Sequence, residues 1–175
     1  EKCPPDELVR IMAFNTDDGY TSLQLGLSLS LHSCTSDYLG DITGANNIPP
    51  PKSYPTFHIV NSSTTPEVTG HWILLYLHST LTVIEYFDPL CKPPSQHSHH
   101  IQSYLQSFSP RGYLTNTFRV QPPESYNCGL YCCFVADKRC QGILLRDIMN
   151  MFHSKDLDDN ETIVSQYYRN HILGL

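Results

Sequence analysis

The sequence has few basic residues and no cluster of them. Lys and Arg total 11 against 17 Asp and Glu, which gives a net charge of −6. The tightest basic grouping is the pair Lys138 and Arg139. A protein that holds nucleic acid needs a stripe of positive charge along the phosphates. The composition therefore argues against nucleic-acid binding as the main function, and we expect no nucleic-acid partner.

Long apolar runs are also absent. The best candidates, "WILLYL" and "GILL", end at polar residues well short of the roughly 20 residues that span a bilayer. The first residues, "EKCPPDELVR", lack the apolar centre of a signal peptide. A chain of 175 residues that is 40% apolar suits one core. We expect a single domain over residues 1–175, soluble, monomeric and without a membrane partner.

The cysteines show no paired motif. Their number is odd, seven, no CxxC pair occurs, and three of them crowd into the stretch 128–133. This pattern argues against a disulfide scaffold and predicts a reducing, intracellular location. A zinc site is the rival, with Cys128 and Cys132 one helical turn apart and Cys140 or a histidine completing the set. The surrounding segment is too apolar for such a site, so we expect no metal.

The order of the periodic segments predicts an α+β fold. A weak helical pattern and turn-rich sequence come first, strands follow, and the last third is helical. "HWILLYL" is apolar nearly throughout, as in a central strand that is covered on both faces. "CGLYCCFVADKR" lacks a polar face over two turns and predicts a buried helix. The other predicted elements are the strands "TFHIV", "TLTVIEYF" and "YLTNTFRV" and the helices "PPDELVRIM", "SQHSHHIQSYLQSFSP", "GILLRDIMNMF" and "ETIVSQYYRNHIL".

Three details of these helices are predicted as well. Ser95 is a candidate cap for the amphipathic helix, and the spacing of Asp158 and Glu161 indicates a capping box for the last one. The run "HSHH", His97 to His100, is interpreted as a solvated helix start in preference to a metal site, although it could bind a metal adventitiously.

Cys128 lies at the predicted start of the buried helix. Asn127 is a good N-cap residue, and a helix N-terminus favours a thiolate over a thiol. Gly129 leaves room beside the sulfur for an approaching backbone. The sequence thus indicates a nucleophile, although cysteine is also a common core residue and simple packing remains the alternative.

A nucleophilic thiolate needs a base, a group that orients the base, and a donor for the oxyanion. His71 begins "HWILLYL", and Asp88 follows the neighbouring strand, so an antiparallel pair brings the two together. Gln121 precedes Cys128 on the stiff connection "QPPESYN" and can fold back over the sulfur. Trp72, next to the base, either lines a substrate groove or packs in the core.

The words "GHW", "DP", "VQ" and "NCGLYCC", in this order, resemble the adenovirus-type cysteine proteases and, more distantly, the SUMO-deconjugating proteases that share their fold. The likeness covers roughly Ile48 to Ala136 and includes "YPTFHIVNSSTTPEVTGHW" before the histidine. It implies a central mixed sheet flanked by helices. It also implies Cys128 as nucleophile, His71 as general base and acid, Asp88 as orienting group and Gln121 as oxyanion-hole side chain.

The same resemblance implies a cysteine endopeptidase that cleaves protein precursors, such as viral capsid and core proteins, in the host nucleus or the virion. Adenovirus enzymes are activated by DNA and by a peptide that forms a disulfide with a cysteine between the carboxylate and the glutamine. Here that interval contains only Cys91, directly after Asp88, and the chain is acidic. We therefore expect no cofactor. The alternatives are a protease that removes SUMO- or ubiquitin-like modifiers and a non-enzymatic scaffold with a degenerate protease fold.

Overall fold

A mixed five-stranded sheet forms the centre of the protein. The computed structural model describes residues 19–64, 70–79 and 83–173. The strands are β1 (Leu39–Gly44), β2 (Thr56–Asn61), β3 (Trp72–Leu77), β4 (Ile84–Phe87) and β5 (Tyr113–Thr115). The helices are α1 (Ser22–Ser30), α2 (Ser33–Tyr38), α3 (His99–Phe108), α4 (Cys128–Cys140), α5 (Leu145–Met149) and α6 (Leu157–Tyr167), and a π-helical stretch, Tyr168–Leu173, continues α6. The architecture confirms the predicted single-domain α+β fold.

Strand β3 lies in the middle of the sheet, whose order is β1-β2-β3-β4-β5. It runs antiparallel to both β2 and β4, while β1 pairs parallel to β2 and β5 parallel to β4. The side chains of β3 alternate between two hydrophobic cores, one on each face of the sheet. On one face Trp72, Leu74 and Tyr76 join the core of α4, and on the other Ile73 and Leu75 pack with α3. The prediction of a central strand covered on both faces is confirmed.

Helix α4 is buried, as predicted, and α1 packs across its first turn. A Cβ at Gly129 would lie 2.8 Å from Leu25 Cδ2 of α1 and 3.3 Å from Trp72 Cδ1. The absence of a side chain at Gly129 therefore lets α1 and the indole of Trp72 pack closely against α4. The prediction that Gly129 leaves room for a substrate backbone is wrong. The sequence signal for α1 is its capping box, in which Thr21 and Gln24 bond each other's backbone N–H groups.

Several predicted boundaries shift. The cap of α3 is Ser98 instead of Ser95. The cap of α6 is Asp156, whose side chain accepts from the Asp159 N–H, instead of Asp158. The predicted strand 113–120 ends at Thr115, because the side chain of Asn116 turns away from the ladder to bond the backbone of Asp88. The predicted helix "PPDELVRIM" lies outside the described residues.

Strand β1 is an element that the sequence analysis missed. Its sequence, "LGDITG", contains glycine and aspartate, which are uncommon in strands. Gly40 is required there, since a Cβ at this position would lie 2.3 Å from the ring of His58 on β2.

None of the helices in the described ranges is long and apolar enough to cross a membrane.

His58 makes the stability of the fold sensitive to mild acid. Its ring is 2% exposed, and neither ring nitrogen finds a hydrogen-bond partner among the described residues. Burial lowers the pKa of His58 from 6.5 to about 4, against a weaker opposing effect of Asp41. The unfolded chain therefore binds the proton more readily than the folded one, so stability falls as the pH drops from 6.5 to about 4.

We expect the free energy of unfolding to drop by about 2 to 3 kcal/mol between pH 7 and pH 4.5 because of this one group. Urea unfolding at the two pH values measures the change. In His58→Leu most of the loss should disappear, whereas His78→Leu, at an exposed histidine, should keep it. An equal loss in the wild-type and His58→Leu proteins would contradict the assignment.

Candidate active site

The base and the carboxylate predicted from the sequence meet at one end of the β3–β4 pair. His71 directly precedes β3, and Asp88 directly follows β4. The antiparallel register, in which Leu74 faces Phe87, places the start of one strand beside the end of the other. His71 Nε2 lies 2.5 Å from Asp88 Oδ1. The predicted proximity of these two residues is thus present in the structure.

The carboxylate of Asp88 is fully buried and saturated with donors. Oδ1 accepts from His71 Nε2 and, at 2.9 Å, from the Leu90 N–H. Oδ2 accepts from the Lys92 N–H at 2.8 Å and from His97 Nε2 at 2.7 Å. Burial alone would raise the pKa of Asp88, but the hydrogen bonds from the two imidazoles outweigh it and hold that pKa well below its usual range. The group is therefore a fixed negative charge.

Cys128 is the first residue of α4 and lies against the start of β3. Its Sγ accepts the Trp72 N–H at 3.4 Å. Burial lowers the pKa of His71, but hydrogen bonds with Asp88 and with the Cys128 side chain raise it, to a net value of about 9. The imidazole is thus protonated near neutral pH and lies beside the Cys128 sulfur. Cys128, His71 and Asp88 form one connected chain of polar contacts.

Asn127 does not use its side chain as the predicted cap. Its amide nitrogen donates to Glu161 Oε2 of α6 at 2.5 Å. Glu161 Oε1 also accepts from the hydroxyls of Ser125 and Tyr131, at 2.8 and 2.9 Å. One carboxylate therefore ties the segment before Cys128 to the last helix.

Gln121 lies in the same segment, with its side chain buried. The backbone N–H of Gln121 donates to the carbonyl of Pro89, which follows Asp88, so the two segments are joined. Its Nε2 donates to the Ser125 carbonyl at 2.7 Å, while Oε1 has no partner among the described residues. An amide nitrogen carries two hydrogens, so one remains after the bond to Ser125. The oxyanion role of Gln121 stays a prediction.

Removing the Glu161 carboxylate should loosen this segment. In Glu161→Ala the three donors lose their shared acceptor, and we expect a loss of about 1–3 kcal/mol in the free energy of unfolding. Any activity of the site should fall roughly tenfold, since Gln121, the predicted oxyanion donor, is held by the same segment. Urea unfolding and a rate assay check both effects. Glu124→Ala, at an exposed carboxylate nearby, should change neither; similar losses in both variants would contradict the anchoring role.

His97 is a site residue that the sequence analysis missed. The sequence predicts a solvated helix start at this position, but the His97 side chain is only 7% exposed and donates to Asp88. Its ring stacks on that of His71, with centroids 5.1 Å apart and planes 22° apart. One signal for this position exists in the sequence, because an aspartate before a proline favours a turn. In the structure the N–H groups of Leu90 and Lys92 bond the Asp88 carboxylate, and the turn leads the chain back toward it.

Trp72 is a core residue in the structure. The indole is 2% exposed and its Nε1 donates to the Tyr20 carbonyl at 2.8 Å. Of the two interpretations of this residue, packing in the core describes its position, and contact with a substrate stays a prediction.

Cys132 and Cys133 are likewise buried in the core, as expected, and burial raises the pKa of both thiols.

His71, Asp88 and His97 are also residue types that bind metals, and their ligand atoms converge within 4.8 Å. Ligands of a tetrahedral Zn²⁺ lie roughly 3.3 Å from one another when the bonds are about 2.0 Å. The separations of 2.5 and 2.7 Å between the imidazoles and the carboxylate are shorter than that and suit hydrogen bonds. The geometry favours a hydrogen-bonded cluster.

The fold is similar to that of a known protease. No family profile and no curated protein matches the sequence. Among solved structures, the SUMO protease Ulp1 with its catalytic cysteine oxidized to a sulfonic acid aligns over 95% of this chain and 84% of its own, with a TM-score of 0.53 and 14% identity. The sulfinic acid form gives a TM-score of 0.45 and 14% identity over 98% of both chains. The first alignment shows that the chain has an Ulp1-like cysteine protease fold.

Proposed function

We propose that this protein is a cysteine endopeptidase that cleaves precursor proteins, with Cys128 as nucleophile, His71 as general base and acid, and Asp88 as orienting group. The observation that carries the proposal is the continuous contact from the Cys128 side chain through His71 to the buried Asp88 carboxylate. The likeness in fold to a cysteine protease supports the same chemistry. The order of the motifs in the sequence favours the adenovirus-type enzymes, and with them viral precursors as substrates.

The geometry supports a thioester mechanism. The Cys128 thiolate attacks the carbonyl carbon of the scissile bond, and the negative charge moves to the carbonyl oxygen. The second hydrogen of Gln121 Nε2 and the N–H of Cys128 are the donors for this oxyanion. Since Nε2 of His71 faces Asp88, Nδ1 is the nitrogen that gives its proton to the leaving amine as the C–N bond breaks. Water then attacks the thioester carbon while His71 takes a proton from it. The C–S bond breaks, the acyl fragment leaves as a carboxylic acid, and the Cys128 thiolate is regenerated.

The pH dependence of this reaction follows from His71. The pKa of its imidazole is raised to about 9, so the acid that protonates the leaving amine is present below that pH and is lost above it. We expect kcat to be nearly level from pH 7 to about 8 and to fall with a midpoint near 9. Initial rates on a peptide substrate across this range measure the midpoint. A midpoint at 7 or lower would contradict a protonated His71.

The function is tested by a peptide-library cleavage profile, recorded with and without added DNA. We expect cleavage at a defined sequence, unchanged by DNA. A modifier protein that carries a C-terminal electrophile tests the alternative, since a modifier-removing protease would react with it and ignore short peptides. If neither substrate reacts and a thiol probe labels Cys128 no faster than an ordinary exposed cysteine, the protein is a scaffold and the proposal is wrong.

A further inference from the structure

The Asp88 carboxylate serves two imidazoles, and only one of them takes part in the proposed reaction. His71 donates to Oδ1 and His97 to Oδ2, at 2.5 and 2.7 Å. Two backbone N–H groups complete the set, one on each oxygen. The arrangement is nearly symmetric about the carboxylate. His97 is therefore placed to influence His71 through the group that they share.

Burial makes this contact stronger than a similar pair would be at a surface. The Asp88 side chain is 0% exposed and the His97 side chain 7%, so water screens neither group well. A hydrogen bond to an ionised carboxylate stabilises its charge and lowers its attraction for a second cation. The His97 N–H thus takes up part of the negative charge that would otherwise act on His71 alone.

The ring of His97 has a second contact with the site. It stacks on the ring of His71 at 5.1 Å and 22°. The chain reaches this position because the turn after Asp88 and the 3₁₀ turn Pro94–Gln96 return it to the carboxylate before α3 begins. The histidine is thus held by ordered backbone on both sides.

We propose that His97 is a positioning residue of the site: it divides the charge of Asp88 between two imidazoles and so tempers the basicity of His71. This inference rests on the proposed function for its role in catalysis, although its effect on His71 can be measured without any substrate. A merely structural His97 would stabilise the loop and leave the titration of His71 unchanged.

Other titratable groups near the two rings are few in the part of the chain that the structure describes. Asp88 comes from the end of β4 and Cys128 from the start of α4. Tyr86 and Cys91 face the carboxylate as well, and burial together with the Asp88 charge raises the pKa of both. Both are therefore more firmly protonated than usual in the range where His71 titrates.

The test follows the titration of His71 by NMR in protein with ¹⁵N-labelled histidine rings. His97→Gln keeps an N–H donor without the ring, His97→Phe keeps a ring without the donor, and His97→Met removes both. We expect the His71 midpoint to rise by about 0.3 pH units or more in the Phe and Met variants and to stay within about 0.2 in the Gln variant. His99→Phe, at the exposed start of α3, is the matched control and should leave the midpoint unchanged.

A rise in both the Phe and the Met variants assigns the effect to the lost donor, because only one of them retains a ring that could interact with the imidazolium. If one of the two does not fold by near-UV CD, the other decides. Unchanged midpoints in folded Phe or Met variants would overturn the proposal. On a peptide substrate we expect kcat to fall several-fold in these variants with KM unchanged, and partial recovery in the Gln variant. An inactive wild-type protein would contradict the proposed function, while the NMR midpoints would still judge His97.

Discussion

Peptidase activity should disappear in Cys128→Ala, with a fall in kcat/KM on the order of 10⁵-fold or more. The variant lacks the only atom that forms the thioester in the proposed mechanism, so activity above background has no route. The structural cost should be small, because an alanine retains the helix and loses one weak N–H···S contact from Trp72. A peptide assay and a far-UV CD spectrum measure the two effects. Turnover at the wild-type rate in Cys128→Ala would contradict the proposal that Cys128 is the nucleophile.

Cys132→Ala is the matched control for this experiment. Cys132 lies one turn further along the same helix and is completely buried, and burial raises the pKa of its thiol, which stays protonated. The free energy of unfolding of Cys132→Ala should fall by about 1 kcal/mol because of the small cavity, and its activity should stay within a few-fold of the wild-type value. If activity were lost in Cys132→Ala and kept in Cys128→Ala, the nucleophile would be Cys132, and the assignment of Cys128 would be wrong.

Asp88→Asn should be the second most damaging change. The charge that raises the pKa of His71 is removed, so the pKa falls below 9 and the imidazole loses its fixed orientation. We expect kcat to fall by about 10³ to 10⁴, as for the neutral replacement of an orienting aspartate in a related triad. The alkaline limb of the pH–rate profile should move to lower pH in the residual activity.

The same substitution should weaken the fold. Each oxygen of Asp88 accepts two N–H groups, and an amide nitrogen in place of one oxygen cannot accept either of its two. Unpaired buried donors cost about 1–3 kcal/mol each, which urea unfolding would detect. Asp37→Asn, at an exposed carboxylate on α2, should leave both rate and stability unchanged. An Asp88→Asn protein with normal kcat would show that the carboxylate does not orient the base.

The proximity of His71 and Asp88 could be predicted because it depends on a local pattern. Two strands joined by a short turn bring the start of one to the end of the other, and the position of Cys128 followed from the change to a helical, apolar segment. The buried helix and the doubly covered strand were predictable for the same reason. These features depend on short stretches of sequence with a clear period.

His97 and the packing at Gly129 could not be predicted in this way. Nothing within "HSHH" tells which ring turns inward, because the answer depends on a carboxylate nine positions earlier whose own loop sets the direction of the chain. Gly129 was assigned to the substrate because the helix that fills its space, α1, was missing from the predicted elements. Both errors arise from contacts between segments that are distant in the sequence or joined by an irregular turn.

The contact between α1 and the first turn of α4 argues against any shortening of the protein that removes α1. Leu25 fills the space at Gly129, and the Tyr20 carbonyl holds the indole of Trp72. A version that starts after α1 would leave a hole beside Gly129, the residue after Cys128, and would remove the hydrogen-bond acceptor of the Trp72 indole. Trimming to that point, or a protease cut between α1 and α2, would thus disturb the first turn of α4, where the proposed nucleophile lies.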